Sequence, residues 1–158
     1  MERGFTLLEL VLVLVILGVL AAVAVPRLGT VGGLAARTAA TDLVEAVRGA
    51  QLYALNGVDR VAMEVNDKRW DATADGNSLR LPGGRRGQKW ESDVAVSVGG
   101  GCPGDTSFGF DGEGRPDCDG DEFEPLVVTL SGGSTQTVCV HPETGYAERK
   151  PGNASCGT

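Results

Sequence analysis

Histidine is almost absent: the 158 residues hold one, His141. The four cysteines, Cys102, Cys118, Cys139 and Cys156, include no CxxC pair. A thiolate–imidazole zinc centre therefore lacks a ligand set of the usual spacing. A lone His without an evident nucleophile makes no catalytic triad. No enzyme activity is expected, and His141 reads as a polar residue at a strand end. Cations are scarce in the second half, where residues 91–158 hold 3 Lys or Arg against 12 Asp or Glu; residues 1–90 hold 11 against 9. Phosphate contacts need clustered Lys and Arg, so the composition of that half argues against broad nucleic-acid binding. No internal repeat is visible.

What the chain does have is a long apolar run at its start. From Leu10 to Val25 there is no charged or polar side chain. Residues 5–25 would form a helix about 32 Å long, matching a hydrocarbon core of about 30 Å. Inside the run sits one carboxylate, Glu9. A charge in a membrane segment costs about 2.5–3.5 kcal/mol on insertion scales, so Glu9 is expected to be functional and to have a partner.

The string Gly4-Phe5-Thr6-Leu7-Leu8-Glu9, with the apolar run and Pro26 after it, resembles the class III signal of type IV pilins and type II secretion pseudopilins. That pattern is a short leader ending in Gly, then Phe, then Thr-Leu-[Leu/Ile]-Glu. The resemblance implies that a prepilin peptidase cuts between Gly4 and Phe5 and methylates the new Phe5 amine. It also implies that Glu9 pairs with the Phe5 amine of a neighbouring subunit during filament assembly, and a buried carboxylate is tolerable when a cation neutralises it. Arg3 on one side of the run and Arg27 and Arg37 on the other leave orientation open by charge. The resemblance implies a single pass through the bacterial inner membrane, N-terminus cytoplasmic and C-terminal domain periplasmic, before entry into a filament. The implied partners are other pilin or pseudopilin subunits, the peptidase, the inner-membrane assembly platform and the lipid bilayer. The competing reading is an ordinary secretory signal cut after Ala22-Val23-Ala24, which would release a soluble periplasmic disulfide-bonded binding domain. Glu9, the length of the run and the closeness of Arg3 to it count against that reading.

The length suits about one domain, and 24 Gly suggest many turns. Pro26, Gly29, Gly32 and Gly33 should weaken a helix across residues 26–33. Beyond them Ala35, Ala39, Leu43, Ala46, Val47, Ala50 and Ala54 recur at steps of three and four, one apolar face. Glu45 and Arg48 lie opposite as an i,i+3 pair. Leu52 and Leu55 make the end apolar all round, as if buried, and Asn56-Gly57 is a stop signal. The period then changes to two at Val61, Met63 and Val65, and Asn66-Asp67 turns the chain into Lys68-Arg69-Trp70. Further strand candidates are residues 79–81, 94–98, 107–110, 126–130 and 137–141, the last two joined as a hairpin through residues 131–134. Residues 83–87, 99–101 and 112–120 read as loops.

The fold class is α+β, a long N-terminal membrane-spanning helix packed at its C-terminal half on an antiparallel sheet, as in the pilin fold. The expected segments are a leader at 1–4, a transmembrane and assembly helix at 5–25, a continuation helix at 26–57 and a periplasmic β-domain at 58–158. The passage from Leu43 to Ala54 into a Val-rich strand resembles the H-type minor pseudopilins and FimT-like minor pilins, as do Phe110-Asp-Gly-Glu-Gly114-Arg115 and Thr144-Gly145-Tyr146. That resemblance implies a structural minor subunit of a secretion pseudopilus or a type IV pilus.

Four cysteines exported to an oxidising periplasm read as two disulfides. Of three connectivities, Cys102–Cys118 and Cys139–Cys156 are favoured, one closing a local loop and the other tying the tail to the last strand. Asp117, Asp119 and Asp121 offer carboxylates in a Gly-rich turn and are weak calcium candidates; EF-hand spacing fails, with Gly120 at position four. A solvated acidic loop is the plainer reading, and no cofactor is expected. Arg80, Arg85, Arg86 and Lys89 beside Trp90, with Arg149-Lys150, could grip a few phosphates and stack one base. A DNA-binding minor pilin for uptake is thus a second alternative, although acidic surroundings speak against nucleic acid as a partner.

Overall fold

The computed structural model describes residues 7–28, 31–58, 60–82, 84 and 86–157, with the backbone alone for residues 21–28, 31 and 32. The leader, Phe5 and Arg85 lie outside the described residues. The chain divides into two units, Met1–Val31 and Gly32–Thr158.

In the first unit α1 (Leu7–Leu28) is a continuous helix that carries Glu9 in its first turn. It runs through Pro26, where the sequence suggested a kink or break, and ends two residues later. Every described side chain from 7 to 20 is exposed, down to Val13, the least exposed of its large apolar side chains at 44%. Among the described residues no helix is long and apolar enough to cross a membrane. The described side chains stop at Leu20, so the span read from sequence extends past them at both ends.

The second unit opens with α2 (Val31–Leu55). Among the described residues ten strands follow: β1 (Val61–Val65), β2 (Arg69–Ala74), β3 (Asn77–Ser78), β4 (Gln88–Lys89), β5 (Ala95–Gly101), β6 (Ser107–Phe110), β7 (Pro116–Asp117), β8 (Glu124–Ser131), β9 (Thr135–Val140) and β10 (Ala147–Pro151). The sequence suggested one antiparallel sheet; the described residues form two. One runs β3-β2-β1-β6-β7, with β4 also on β2, and the other β10-β9-β8-β5. The split arises because β5 pairs with β8 while the next strand, β6, returns to β1. Residues 79–81 are not a strand, and the Gly-rich 99–101 is not a loop but the end of β5. There the register against β8 shifts at Gly99–Gly101, a bulge that Gly100 permits with φ of 71°.

One apolar cluster joins the helix to both sheets. Ala36, Ala40, Leu43, Val47, Ala50 and Ala54 of α2 are buried with Val61, Met63 and Val65 of β1 and Leu126, Val128 and Leu130 of β8. Each Leu, Val or Met side chain withdrawn this fully contributes about 1.5–3 kcal/mol, and the small alanines let the helix approach closely. At its N-terminal end the buried stripe falls on Ala36 and Ala40, with Ala35 and Ala39 only partly covered. Strand β9 is buried on both faces from Gln136 to Val140, because the tail crosses it: the Thr137 hydroxyl donates to the Gly152 carbonyl and accepts from the Ala154 N–H.

The helix ends as its sequence suggests. Gly57 takes φ of 78°, its N–H bonds the Ala54 carbonyl, and the Val58 N–H bonds that of Tyr53, the Schellman arrangement. Two expectations for α2 fail. Leu52 and Leu55 are 56% and 51% exposed, since the sheets cover only one side of the last turns. Glu45 does not pair with Arg48, whose guanidinium reaches away to β10, as described next.

Candidate functional site

Two regions carry the residues singled out from sequence. At the start of the chain, Gly4 and Phe5 are outside the described residues. Glu9 is exposed in the first turn of α1, where a carboxylate suits the positive end of the helix dipole. Around it Leu7, Leu8, Leu10, Leu12 and Leu14 are 55–83% exposed. So much exposed apolar surface on one helix marks a surface for other helices or lipid.

The second region is built on the last turns of α2. The Gln51 amide donates to the Gly114 and Thr144 carbonyls, each at 2.7 Å, and so holds the loops after β6 and β9 together. Arg48 donates to the Ala147 carbonyl at 2.8 Å and lies 5.3 Å from the Tyr146 ring centroid. Neither role was legible in sequence, because each partner lies some 60 to 100 residues away.

Those loops border a groove of ≈ 840 Å³. Pro103, Pro116, Pro125, Pro142 and Phe123 give it apolar walls, and Asp117, Asp121, Glu122, Glu124 and Glu143 give it charge. Its basic side chains are already engaged. Arg115 is bonded to Asp111 at 3.1 Å and Glu113 at 2.7 Å, and His141 to Glu148 at 3.1 Å. Burial raises the Asp111 pKa, but hydrogen bonds from the Arg115 and Glu113 N–H groups and the Arg115 guanidinium outweigh it, so the net shift is downward. Hydrogen bonds from Lys150 and His141 hold Glu148 below its ordinary value against a smaller opposing effect of burial.

The cysteines pair as Cys102–Cys118 and Cys139–Cys156, with Cα separations of 5.4 and 5.6 Å. Asp117, Asp119 and Asp121 do not converge. Asp117 is paired in β7 with Gly109 and Asp121 closes a tight turn on Cys118. Among the described residues no three His, Cys, Asp or Glu side chains are placed to hold a metal ion. The basic cluster also differs from the stacking platform considered above. Arg80, Arg86 and Lys89 are exposed, but Trp90 is half-buried against the core and its indole N–H donates to the Asn66 carbonyl at 2.8 Å. Arg149 is held by Gln136 and Lys150 by Glu148.

Residues 1–25 match the family model described as the prokaryotic N-terminal methylation motif. No curated protein matches the sequence. Among solved structures, the minor pseudopilin EpsH from the type 2 secretion system of Vibrio cholerae is similar, with a TM-score of 0.57 over 74% of this chain and 97% of that one. The identity is 11%, so this likeness speaks for the fold. The chain thus carries the N-terminal methylation motif over residues 1–25 and a fold similar to that of this minor pseudopilin.

Proposed function

We propose that the chain is a structural minor pilin or pseudopilin subunit, with no catalytic role, that joins a type II secretion pseudopilus or a type IV pilus. The observation that carries this is the methylation motif over residues 1–25, continued by a helix whose described apolar side chains are all exposed. The likeness to EpsH supports a minor subunit. In this reading residues 5–25 anchor the precursor in the inner membrane, with the second unit in the periplasm. A prepilin peptidase removes residues 1–4 and methylates Phe5. The neighbouring subunits' apolar helices then cover α1, and Glu9 meets the Phe5 amine of a neighbour, where charge neutralisation offsets its desolvation.

Mass spectrometry of the mature N-terminus from the membrane fraction tests this. A chain beginning at methylated Phe5 is expected; one beginning near Val25 would mean secretory processing and defeat the filament reading. A Glu9→Leu variant should still be cut at Gly4 but drop out of sheared or co-purified filaments. Equal recovery of variant and wild type would remove Glu9 from assembly.

A further inference from the structure

An edge strand leaves a row of backbone N–H and C=O groups without a ladder partner, and folded chains guard such edges with charge, proline or shortness. Most edges of the two sheets are guarded so. Strands β3, β4 and β7 have two residues each, and β7 starts on Pro116. Strand β10 carries Glu148, Arg149 and Lys150 and ends on Pro151.

Strand β5 is the exception. It pairs with β8 on one side and is the last strand of its sheet. Its seven residues, Ala95-Val96-Ser97-Val98-Gly99-Gly100-Gly101, include no charge and no proline. The bulge bends only its end: residues 95–99 keep unbroken register with β8, a regular edge about 17 Å long. No backbone group of residues 95–99 bonds a described residue outside the β8 ladder. Ala95, Ser97 and Gly99 are exposed, while Val96 and Val98 pack on the core but stay only half-buried. A further strand on this edge would bond the open backbone groups and cover the open sides of both valines, the backbone-pairing mode of recognition.

The ends of the edge define what that strand carries. Asp93 precedes it, Glu124 stands opposite Gly101, and Asp105 stands opposite Cys102. All three carboxylates are exposed, and none is in an ion pair with a described residue. Pairing with the same edge of a second copy would set like charges together. Run antiparallel, Asp93 would approach the end bearing Asp105 and Glu124; run parallel, each carboxylate would approach its own counterpart. Both arrangements cost free energy, whereas Lys or Arg near the ends of the added strand gains it.

We propose that the free edge of β5, residues 95–99, receives an extended segment of a different filament subunit, apolar on the side that covers Val96 and Val98 and cationic at its ends. The proposal rests on the filament reading above, in which a minor subunit stands among unlike neighbours, and it names the surface that takes one of them.

The test places the photo-crosslinker p-benzoylphenylalanine at Ser97 of the full-length chain and irradiates filaments that co-purify with it. The expected product joins position 97 to a Lys- or Arg-bearing peptide of a second protein whose own mature N-terminus is methylated. A crosslink to another copy of this chain, a crosslink to a protein without that N-terminus, or no crosslink would overturn the proposal. Amide exchange of the unlabelled wild type at residues 95–99 should slow roughly tenfold or more from the detergent-solubilised chain to the filament, with edge strand β10 unchanged; equal rates at 95–99 would overturn it as well. Asp93→Lys/Glu124→Lys should cut the crosslink yield roughly tenfold at about 50 mM salt, and an undiminished yield would overturn the cationic partner. Should that variant misfold, the wild-type exchange rates decide. The N-terminal measurement keeps the two readings apart: methylated Phe5 without protection of residues 95–99 defeats this contact and leaves the filament reading standing.

Discussion

Glu148 and Asp111 are carboxylates whose surroundings favour the ionised form: Glu148 joins β10 to His141 just after β9, and Asp111 closes the loop between β6 and β7 on Arg115. Each has a folded-state pKa below its unfolded value. Their stabilisation is thus fully present above the unfolded value and is lost as pH falls through the folded one. The gap in Tm between wild type and Glu148→Gln should therefore be open at neutral pH and close as pH drops below about 4; a gap independent of pH would show that Glu148 acts only by packing. Gly145 is held by geometry rather than charge. At φ of 65°, an added Cβ would lie 2.6 Å from the Gly114 carbonyl oxygen and 2.9 Å from the Gln51 amide. Gly145→Ala should cost about 1–3 kcal/mol, read from urea unfolding, and should loosen the loops that Gln51 joins.

Strand β5 depends on one residue in the same way. Gly100 has φ of 71° and an added Cβ there would overlap the Pro125 carbonyl oxygen. Gly100→Ala should break the bulge and speed amide exchange at the start of β8, while exchange in β1 stays slow; unchanged exchange in β8 would show that the strand pair adapts. The contrast between β5 and α2 shows what the sequence could reveal. The α2 stripe, its Asn56-Gly57 end and the alternation of β1 follow from local period and turn chemistry, and were legible. Residues 99–101 looked like a loop because Gly discourages strands, yet a bulge needs glycine. The short strands β3, β4 and β7 have no period to read, and their pairing is decided by distant neighbours. Leu52 and Leu55 misled for the same reason: whether a leucine is covered depends on where the sheets end. The groove was visible only as scattered Pro, Asp and Glu until the β6–β7 and β9–β10 loops came together. The cysteine pairing was legible because its chemistry needs little context.

At the scale of the whole second unit, the Cys139–Cys156 bond joins positions 17 residues apart. A crosslink closing a loop of that length stabilises by about 3 kcal/mol in the chain-entropy view. Cys139→Ser/Cys156→Ser should lower the urea midpoint accordingly and free the tail to proteolysis; an unchanged midpoint would mean that Thr137 and Gly152 hold the tail unaided. The position of that bond has a mechanical consequence. β9 is an interior strand, flanked by β8 and β10. A pull on the C-terminus beyond Cys156 bypasses β10 and arrives in the middle of the sheet. Such a force cannot unzip an edge one hydrogen bond at a time. It must slide β9 past both neighbours at once, so the unit resists tension from its tail as a loaded shear joint.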